Sequence, residues 1–111
     1  MHITKDNINQ FIYGTTMDCY NMDITKIDFI PDGITHLYCY TNNLTSLPKL
    51  PDGLLELSCA NNELTELPLL PENLEYLSCQ YNNLPYPITI NNFKEHNTLL
   101  KRKEILSKIC T

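Results

Sequence analysis

The sequence predicts an α/β repeat fold, in which each unit of 20 residues adds one short strand to a parallel sheet and a helix follows near the C-terminus. Three observations support this prediction. The same residue types recur every 20 positions, prolines interrupt the stretches between the predicted strands, and the longest helical pattern lies in residues 92–108. A fixed period of this length is typical of repeat architectures.

Shifting the sequence against itself by 20 residues reveals the repeat. The recurring pattern is LxxLxCxxNxL, and its most regular positions are filled by Leu37, Leu57 and Leu77, by Cys39, Cys59 and Cys79, by Asn42, Asn62 and Asn82, and by Leu44, Leu64 and Leu84. An earlier copy is degenerate, since Met22 stands where the others have Asn. We therefore predict one domain, with an N-terminal cap over residues 1–13, four repeats over 14–87 of which the first is degenerate, and a capping helix over 91–110.

Each position of the pattern has a structural reason. Side chains alternate between the two sides of a strand, so the Leu and Cys of the LxC segment face the core and the residue between them faces outward. The Asn after the strand can bond to backbone groups of its own turn and of its neighbour, which predicts a ladder of Asn42, Asn62 and Asn82. The paired prolines that follow, such as Pro48 and Pro51, exclude a helix on the return path.

This pattern resembles that of the leucine-rich repeat proteins, in particular the short 20-residue class found in secreted effectors of enteric bacteria. Cys at the strand position, where that class more often has Val, is more similar to leucine-rich repeat proteins encoded by amoeba-infecting giant viruses. The resemblance covers residues 14–87. It implies a right-handed leucine-rich-repeat solenoid with a helix-free convex side, and recognition of another protein inside a host cell.

The two ends of the repeats need covering, because open ends leave apolar surface and unpaired strand groups in water. Ile8, Phe11 and Ile12 predict a short helix within residues 4–13, with Thr4 as N-cap and Gly14 as its stop. A second helix begins after Asn91 or Asn92 and has a wide apolar face, formed by Phe93, Leu99, Leu100, Ile105, Leu106, Ile109 and Cys110. We expect this face to seal the last repeat, with a dimer contact as the alternative.

The spacing of the cysteines argues against metal and disulfide chemistry. Cys19, Cys39, Cys59 and Cys79 recur at the repeat period, which places them in one inward row and not around a single point as a zinc site requires. Side chains that run parallel along such a row do not offer the twist of a disulfide. We expect these four thiols to be buried and reduced, in a reducing compartment, and Cys110 to be the reactive one.

Charge and motif content exclude several function classes. Residues 1–91 hold 3 Lys or Arg against 11 Asp or Glu, and residues 92–111 hold 5 against 2, so a segment of formal charge −8 precedes one of +3. The acidic segment disfavours nucleic acid and favours a basic or neutral partner. No stretch is apolar enough for a membrane span, and the N-terminus lacks a signal-peptide core. The three histidines do not converge, so we expect no enzyme activity, no metal and no cofactor. The reduced cysteines and the missing signal-peptide core predict a cytoplasmic location.

The outward residues of the strands remain as the binding surface. Tyrosine is favoured at protein interfaces, and four of the seven tyrosines fall at outward positions. The predicted protein-binding residues are Tyr20, His36, Tyr38, Tyr40, Glu56 and Tyr76. A sheet of this size exposes roughly 200 to 300 Å², against about 800 Å² per partner in a standard interface. The sequence thus predicts a module that binds a partner protein or peptide, with a self-assembling homo-oligomer as the alternative.

Overall fold

The computed structural model describes residues 1–109, so that Cys110 and its predicted reactivity lie outside the described residues. Short strands dominate the chain, and one long helix follows them. In chain order the elements are β1 (His2–Ile3), a 3₁₀ helix (Ile8–Phe11), β2 (Ile12–Tyr13), β3 (Thr16–Asp18), β4 (Lys26–Ile27), β5 (His36–Tyr38), β6 (Glu56–Ser58), β7 (Tyr76–Ser78) and α1 (Phe93–Ile109).

The main sheet has five strands in the order β2-β3-β5-β6-β7. Only β2 is antiparallel to its neighbour, and the other strands pair in parallel with a shift of 20 residues at each step. Met17, Leu37 and Leu57 are thereby aligned across adjacent strands. The prediction of short, mostly parallel strands in one sheet and a single C-terminal α-helix is confirmed.

The core lies between this sheet and the extended segments that connect its strands. Residues 12–92 contain no helix of any kind. Within each repeat the apolar side chains of the strand and of the proline-containing segment meet, and the fully buried residues at the centre are Leu37, Leu44, Leu54, Leu57, Leu64, Cys39 and Cys59. Burial of apolar area at this density is the main driving force for folding.

A buried asparagine after each strand joins neighbouring repeats. The Asn62 Nδ2 donates to the carbonyl oxygens of Cys39 and Cys59, at 3.1 Å each, and its Oδ1 accepts from Leu44 N at 3.0 Å. Asn42 and Asn82 make the equivalent bonds one repeat earlier and one repeat later. Met22 occupies this position in the first repeat, and there the backbone N–H of Met22 donates to Asn42 Oδ1 instead.

The residue before each ladder position has a left-handed backbone conformation. The φ angles are 52° at Asn21, 57° at Thr41, 56° at Asn61 and 61° at Tyr81. Asn tolerates this region, whereas a β-branched residue such as Thr is strained there. The sharp turn out of each strand therefore carries a conformational cost that differs among the repeats.

The N-terminal end differs from the helix predicted for residues 4–13. Only Ile8–Phe11 is helical, as a 3₁₀ helix, and strands flank it on both sides. Strand β1 pairs in parallel with β4, and β2 pairs with β3 across a turn at Gly14, whose φ is 62°. Thr4 accepts backbone hydrogen bonds from Asn7 and Ile8 through its carbonyl oxygen, and Gly14 serves a hairpin turn and not a helix end. Strand pairing prevails here because both edges of the first repeat offer unpaired backbone groups.

The C-terminal helix contacts the body only through its first turns. Phe93, His96 and Asn97 are buried, and every residue from 101 to 109 is exposed. The Asn97 amide bonds to both backbone groups of Leu70, at 2.8 and 2.7 Å, as a strand partner would. His96 lies between the Tyr86 hydroxyl at 2.8 Å and the Pro68 carbonyl oxygen at 3.1 Å.

The expectation that the wide apolar face of α1 seals the last repeat is therefore wrong for its second half. Ile105, Leu106 and Ile109 are exposed there, and Leu99 is exposed in the first half. Ile88, which is 6% exposed, packs against the core of the last repeat, and its carbonyl oxygen accepts from Cys79 Sγ at 3.0 Å. Polar anchors hold the start of α1 to the proline-containing segment, and this geometry carries the rest of the helix beyond the core.

No helix in residues 1–109 has the length and hydropathy needed to cross a bilayer.

We predict that Thr41→Asn stabilises the protein by roughly 1 kcal/mol, because Asn relieves the strain of a β-branched residue at positive φ. Thr41 is exposed, so the substitution changes little burial. Urea unfolding followed by circular dichroism measures the difference. The control is the reverse substitution at the equivalent position, Asn61→Thr, which should lower the unfolding free energy by a similar amount. A loss of stability in Thr41→Asn would contradict the explanation.

Candidate functional site

The outward side of the main sheet contains all six predicted binding residues. We call it the strand face and define it by the outward side chains of four successive rungs. These are Thr16, Asp18 and Tyr20; His36, Tyr38 and Tyr40; Glu56, Ser58 and Ala60; and Tyr76, Ser78 and Gln80. Parallel pairing aligns Thr16, His36, Glu56 and Tyr76 in one row and Asp18, Tyr38, Ser58 and Ser78 in the next.

Contacts between side chains orient the aromatic residues of the strand face. The rings of Tyr20 and Tyr40 stack with centroids 4.9 Å apart and planes 11° apart. The Tyr38 hydroxyl donates to Glu56 Oε2 at 2.7 Å. A hydrogen bond to a carboxylate is stronger than one between neutral groups, so Tyr38 is held firmly in place.

His36 belongs to the same group of contacts. Its Nδ1 lies 2.8 Å from Thr35 Oγ1, and its Nε2 lies 4.0 Å from Glu56 Oε1. Glu56 therefore faces Tyr38 on one oxygen and His36 on the other. The Tyr38 hydroxyl thus satisfies one oxygen of the Glu56 carboxylate from within the protein.

An open depression of about 470 Å³ lies on the strand face. Its lining residues are Asp18, Tyr38, Tyr40, Ser58, Ala60, Tyr76 and Ser78. Ala60 and Ser78 are buried although they point outward, because larger side chains rise around them. The size contrast between tyrosines and small residues on adjacent strands thus creates the depression.

Asp18 contributes an unsatisfied charged group to this depression. Its Oδ1 is buried and is the only buried side-chain nitrogen or oxygen without a hydrogen-bond partner in residues 1–109. Buried polar groups in native proteins are nearly always paired. An unpaired carboxylate oxygen beside three tyrosines is therefore the most unusual chemical feature of the face.

The structure distributes the predicted binding residues unevenly. Tyr38, Tyr40 and Tyr76 line the depression, Tyr20 supports Tyr40 by stacking, and His36 and Glu56 lie in the neighbouring row. The predicted binding residues did not include Asp18 or the small residues Ser58, Ala60 and Ser78, which also line the depression. Alternation of large and small outward residues on adjacent repeats was the signal that could have identified them.

Tyr13 is a further residue that the sequence prediction missed. It is exposed and lies opposite Thr16 in the antiparallel pair of β2 and β3. Residues directly opposite in such a pair share one side of the sheet, so Tyr13 extends the strand face beyond the first repeat. Its position depends on the N-terminal hairpin, which the helical interpretation of residues 4–13 did not include.

The inward cysteine row offers no reactive thiol. Cys19, Cys39, Cys59 and Cys79 are buried and unpaired. Burial raises the pKa of all four thiols above its ordinary value, and for Cys19 it does so to about 12 with a further contribution from the Asp18 charge. Because the thiolate is the reactive form, these residues act as small core side chains.

The described residues contain no grouping of three or more His, Cys, Asp or Glu that could hold a metal ion. His2 lies 2.6 Å from Asp28, and His96 contacts Tyr86. Neither of these partners belongs to the strand face. The arrangement on the strand face offers hydrogen-bond acceptors, aromatic rings and a shallow concave shape. Such features suit the binding of a side chain.

Comparison with known proteins adds no assignment. No protein-family model matches the chain, and no curated protein matches it.

The Tyr38–Glu56 hydrogen bond generates a prediction on pH dependence. This bond, with smaller contributions from burial and from the charges of Glu56 and Asp18, raises the pKa of Tyr38 from 10.0 to about 12. The bond requires the protonated phenol, so its stabilising contribution is complete below pH 10 and is lost as the pH rises through about 12. The difference in phenolate absorbance between the wild type and Tyr38→Phe should therefore appear near the upper value.

Glu56→Gln is the matched variant for this titration. It removes the charge and weakens the acceptor while keeping the shape of the side chain, so the pKa of Tyr38 should fall toward 10.0. A tyrosine that already ionises at that value in the wild type would contradict the assignment.

Proposed function

We propose that the chain is a right-handed leucine-rich-repeat solenoid that binds a partner protein or peptide on its strand face and catalyses no reaction. The solenoid assignment is supported by strand registers that advance 20 residues at a time and by the asparagine bonds between successive repeats. It is also supported by the helix-free connections between residues 12 and 92. A stack of this kind presents one continuous outward sheet surface.

The observation that carries the proposed function is the depression between the tyrosines of the strand face. Tyrosine provides a rigid apolar ring with a hydroxyl and is enriched among the residues that dominate binding energy. Tyr76 is 50% exposed and Tyr20 is 45% exposed, although both rings are large and apolar. Burial of these rings by a partner would release water from apolar surface.

The size of the strand face limits the kind of partner. Four short strands expose only roughly 200 to 300 Å², whereas a standard interface takes about 800 Å² from each partner. A short peptide or a single protruding loop fits this area, and a large globular surface does not unless turns and caps also take part. We therefore favour a peptide-like segment of a partner protein.

The cysteines and the charge support a proposal for the cellular setting. Four buried, unpaired thiols suit a reducing compartment, so we place the protein in the cytoplasm, and in the host cytoplasm if the chain is viral or an effector. The formal charge of −8 over residues 1–91 suits a neutral or basic partner and opposes binding to nucleic acid. A host-derived protein is the partner class that the resemblance favours.

A peptide selection tests the proposed function. A random peptide library is panned on the wild-type protein, and the enriched peptides are measured by calorimetry against Tyr38→Ala/Tyr40→Ala. We expect at least about a tenfold loss of affinity in the double variant, since the rings supply most of the apolar contact. The circular dichroism spectrum should be unchanged.

Tyr81→Ala is the matched control for the selection. It removes the same side chain from an exposed position, 76% accessible, in the turn after β7 and away from the depression. Peptides that bind this variant and the double variant equally well would place the binding site outside the strand face and overturn the proposal.

A second candidate function is self-assembly into a homodimer through the second half of α1. The observation in its favour is the exposure of Ile105, Leu106 and Ile109, at 56%, 58% and 73%. Light scattering over a range of micromolar concentrations tests it, because a dimer should appear and should dissociate in Leu106→Lys. A monomer throughout that range removes this candidate.

A further inference from the structure

We propose that the depression on the strand face binds an arginine side chain of the partner peptide, with the Asp18 carboxylate as its counter-ion. This inference rests on the function proposed above and specifies the chemistry of its ligand. It concerns the residues that line the depression, and each of the following features contributes to it independently.

The Asp18 carboxylate is the first feature. Its Oδ1 is withdrawn from solvent and has no donor within residues 1–109. The other carboxylate of the strand face, Glu56, already accepts from the Tyr38 hydroxyl at 2.7 Å. Leaving a buried acceptor unpaired is unfavourable, and the cost is greater for a charged group. The partly exposed Asp18 side chain lines the depression, so a cationic donor bound there supplies the opposite charge to a carboxylate that no protein group neutralises.

The aromatic rings are the second feature. Tyr38, Tyr40 and Tyr76 line the same depression as Asp18. Cations are attracted to the faces of aromatic rings, and the planar guanidinium of arginine stacks on them while its edge donates hydrogen bonds. The stack with Tyr20 restricts the Tyr40 ring before a ligand arrives. Restriction in advance lowers the entropy lost on binding.

The shape of the depression is the third feature. Its floor consists of Ser58, Ala60 and Ser78, whose short side chains leave space above the sheet. The volume of about 470 Å³ is within the range of roughly 300 to 1,000 Å³ that ligand sites occupy. One long side chain fits such a space, whereas a folded surface would touch only its rim.

The negative charge of the protein favours a cationic ligand. No Lys or Arg lines the depression, and residues 1–91 carry a formal charge of −8. The field of such a body attracts a basic segment and repels an acidic one during encounter. Asp18 then sets the position of the cation, because it is the acidic residue among those that line the depression.

Nuclear magnetic resonance with defined peptides tests the inference. The probe is a short blocked peptide with one arginine between glycine and serine residues, and its partners carry citrulline or lysine in place of the arginine. Citrulline keeps the shape of arginine but has no charge. We expect the arginine peptide to shift the amide resonances of Asp18, Tyr38 and Ser58, and to bind at least about tenfold more tightly than the citrulline peptide.

Two variants isolate the role of the Asp18 carboxylate. Asp18→Asn keeps the size of the side chain and should remove the preference for arginine over citrulline. Asp52→Asn changes the net charge equally at an exposed position outside the depression and should leave that preference unchanged. The urea midpoint of Asp18→Asn should be equal to or above that of the wild type, because no protein donor to Asp18 Oδ1 is lost. A lower midpoint would assign Asp18 a structural role and overturn the inference.

The remaining outcomes separate this inference from the proposed function. Equal affinity for arginine and citrulline peptides, or no shift at Asp18 with any of them, overturns the arginine site. Equal affinity for the lysine peptide overturns the choice of guanidinium. If the selected library peptides still lose affinity in Tyr38→Ala/Tyr40→Ala, the proposed function survives any of these results. If the library peptides keep their affinity in the double variant, the proposed function fails, whatever the result for the arginine site.

Discussion

The stack of repeats depends on a buried side-chain amide that each asparagine of the ladder places between two successive turns. The strands of the main sheet are only two or three residues long, so the hydrogen bonds of the sheet alone leave many turn carbonyls unpaired. Asn62 meets this need by donating to Cys39 and Cys59, which belong to different repeats, while accepting from Leu44. A buried carbonyl without such a donor would be costly. The same contact therefore closes the turn and sets the spacing of the repeats.

Backbone groups at the two ends of the stack obtain hydrogen-bond partners in different ways. At the N-terminus, β1 and β2 add backbone pairing to both sides of the first repeat, where Met22 cannot act as a ladder residue. At the C-terminus the polar side chains of His96 and Asn97 bond to the backbone of the preceding extended segment. Both solutions satisfy backbone groups locally. Neither requires the second half of α1, and its apolar residues consequently remain available for contact.

The residue type is less constrained at positions of the strand face than at positions of the core. Inward positions must keep their size from repeat to repeat, because each packs against the same position in its neighbours. Outward positions are not constrained in this way, and here they alternate between tyrosine and small residues. The depression arises where Tyr38 and Tyr40 adjoin the small residues of the next strand, and Asp18, with its unpaired oxygen, pairs with Tyr38 from the opposite side. The groups that we propose for binding therefore lie where outward residues differ between adjacent repeats, and the core stays regular beneath them.

The 20-residue period predicted the short parallel strands and their order β3-β5-β6-β7, because each repeat buries the same apolar positions, and a separate helical pattern predicted α1. Periodicity did not predict the N-terminal hairpin or the exposed end of α1, since both lie outside the repeated unit. It also identified which residues face outward, including Tyr38 and Tyr76, but not the depression between them. The depression depends on the relative sizes of side chains from different strands. Whether Asp18 has a hydrogen-bond donor also depends on residues of neighbouring strands. Such relations exist only after the strands pair, because the residues concerned are about 20 positions apart in the chain.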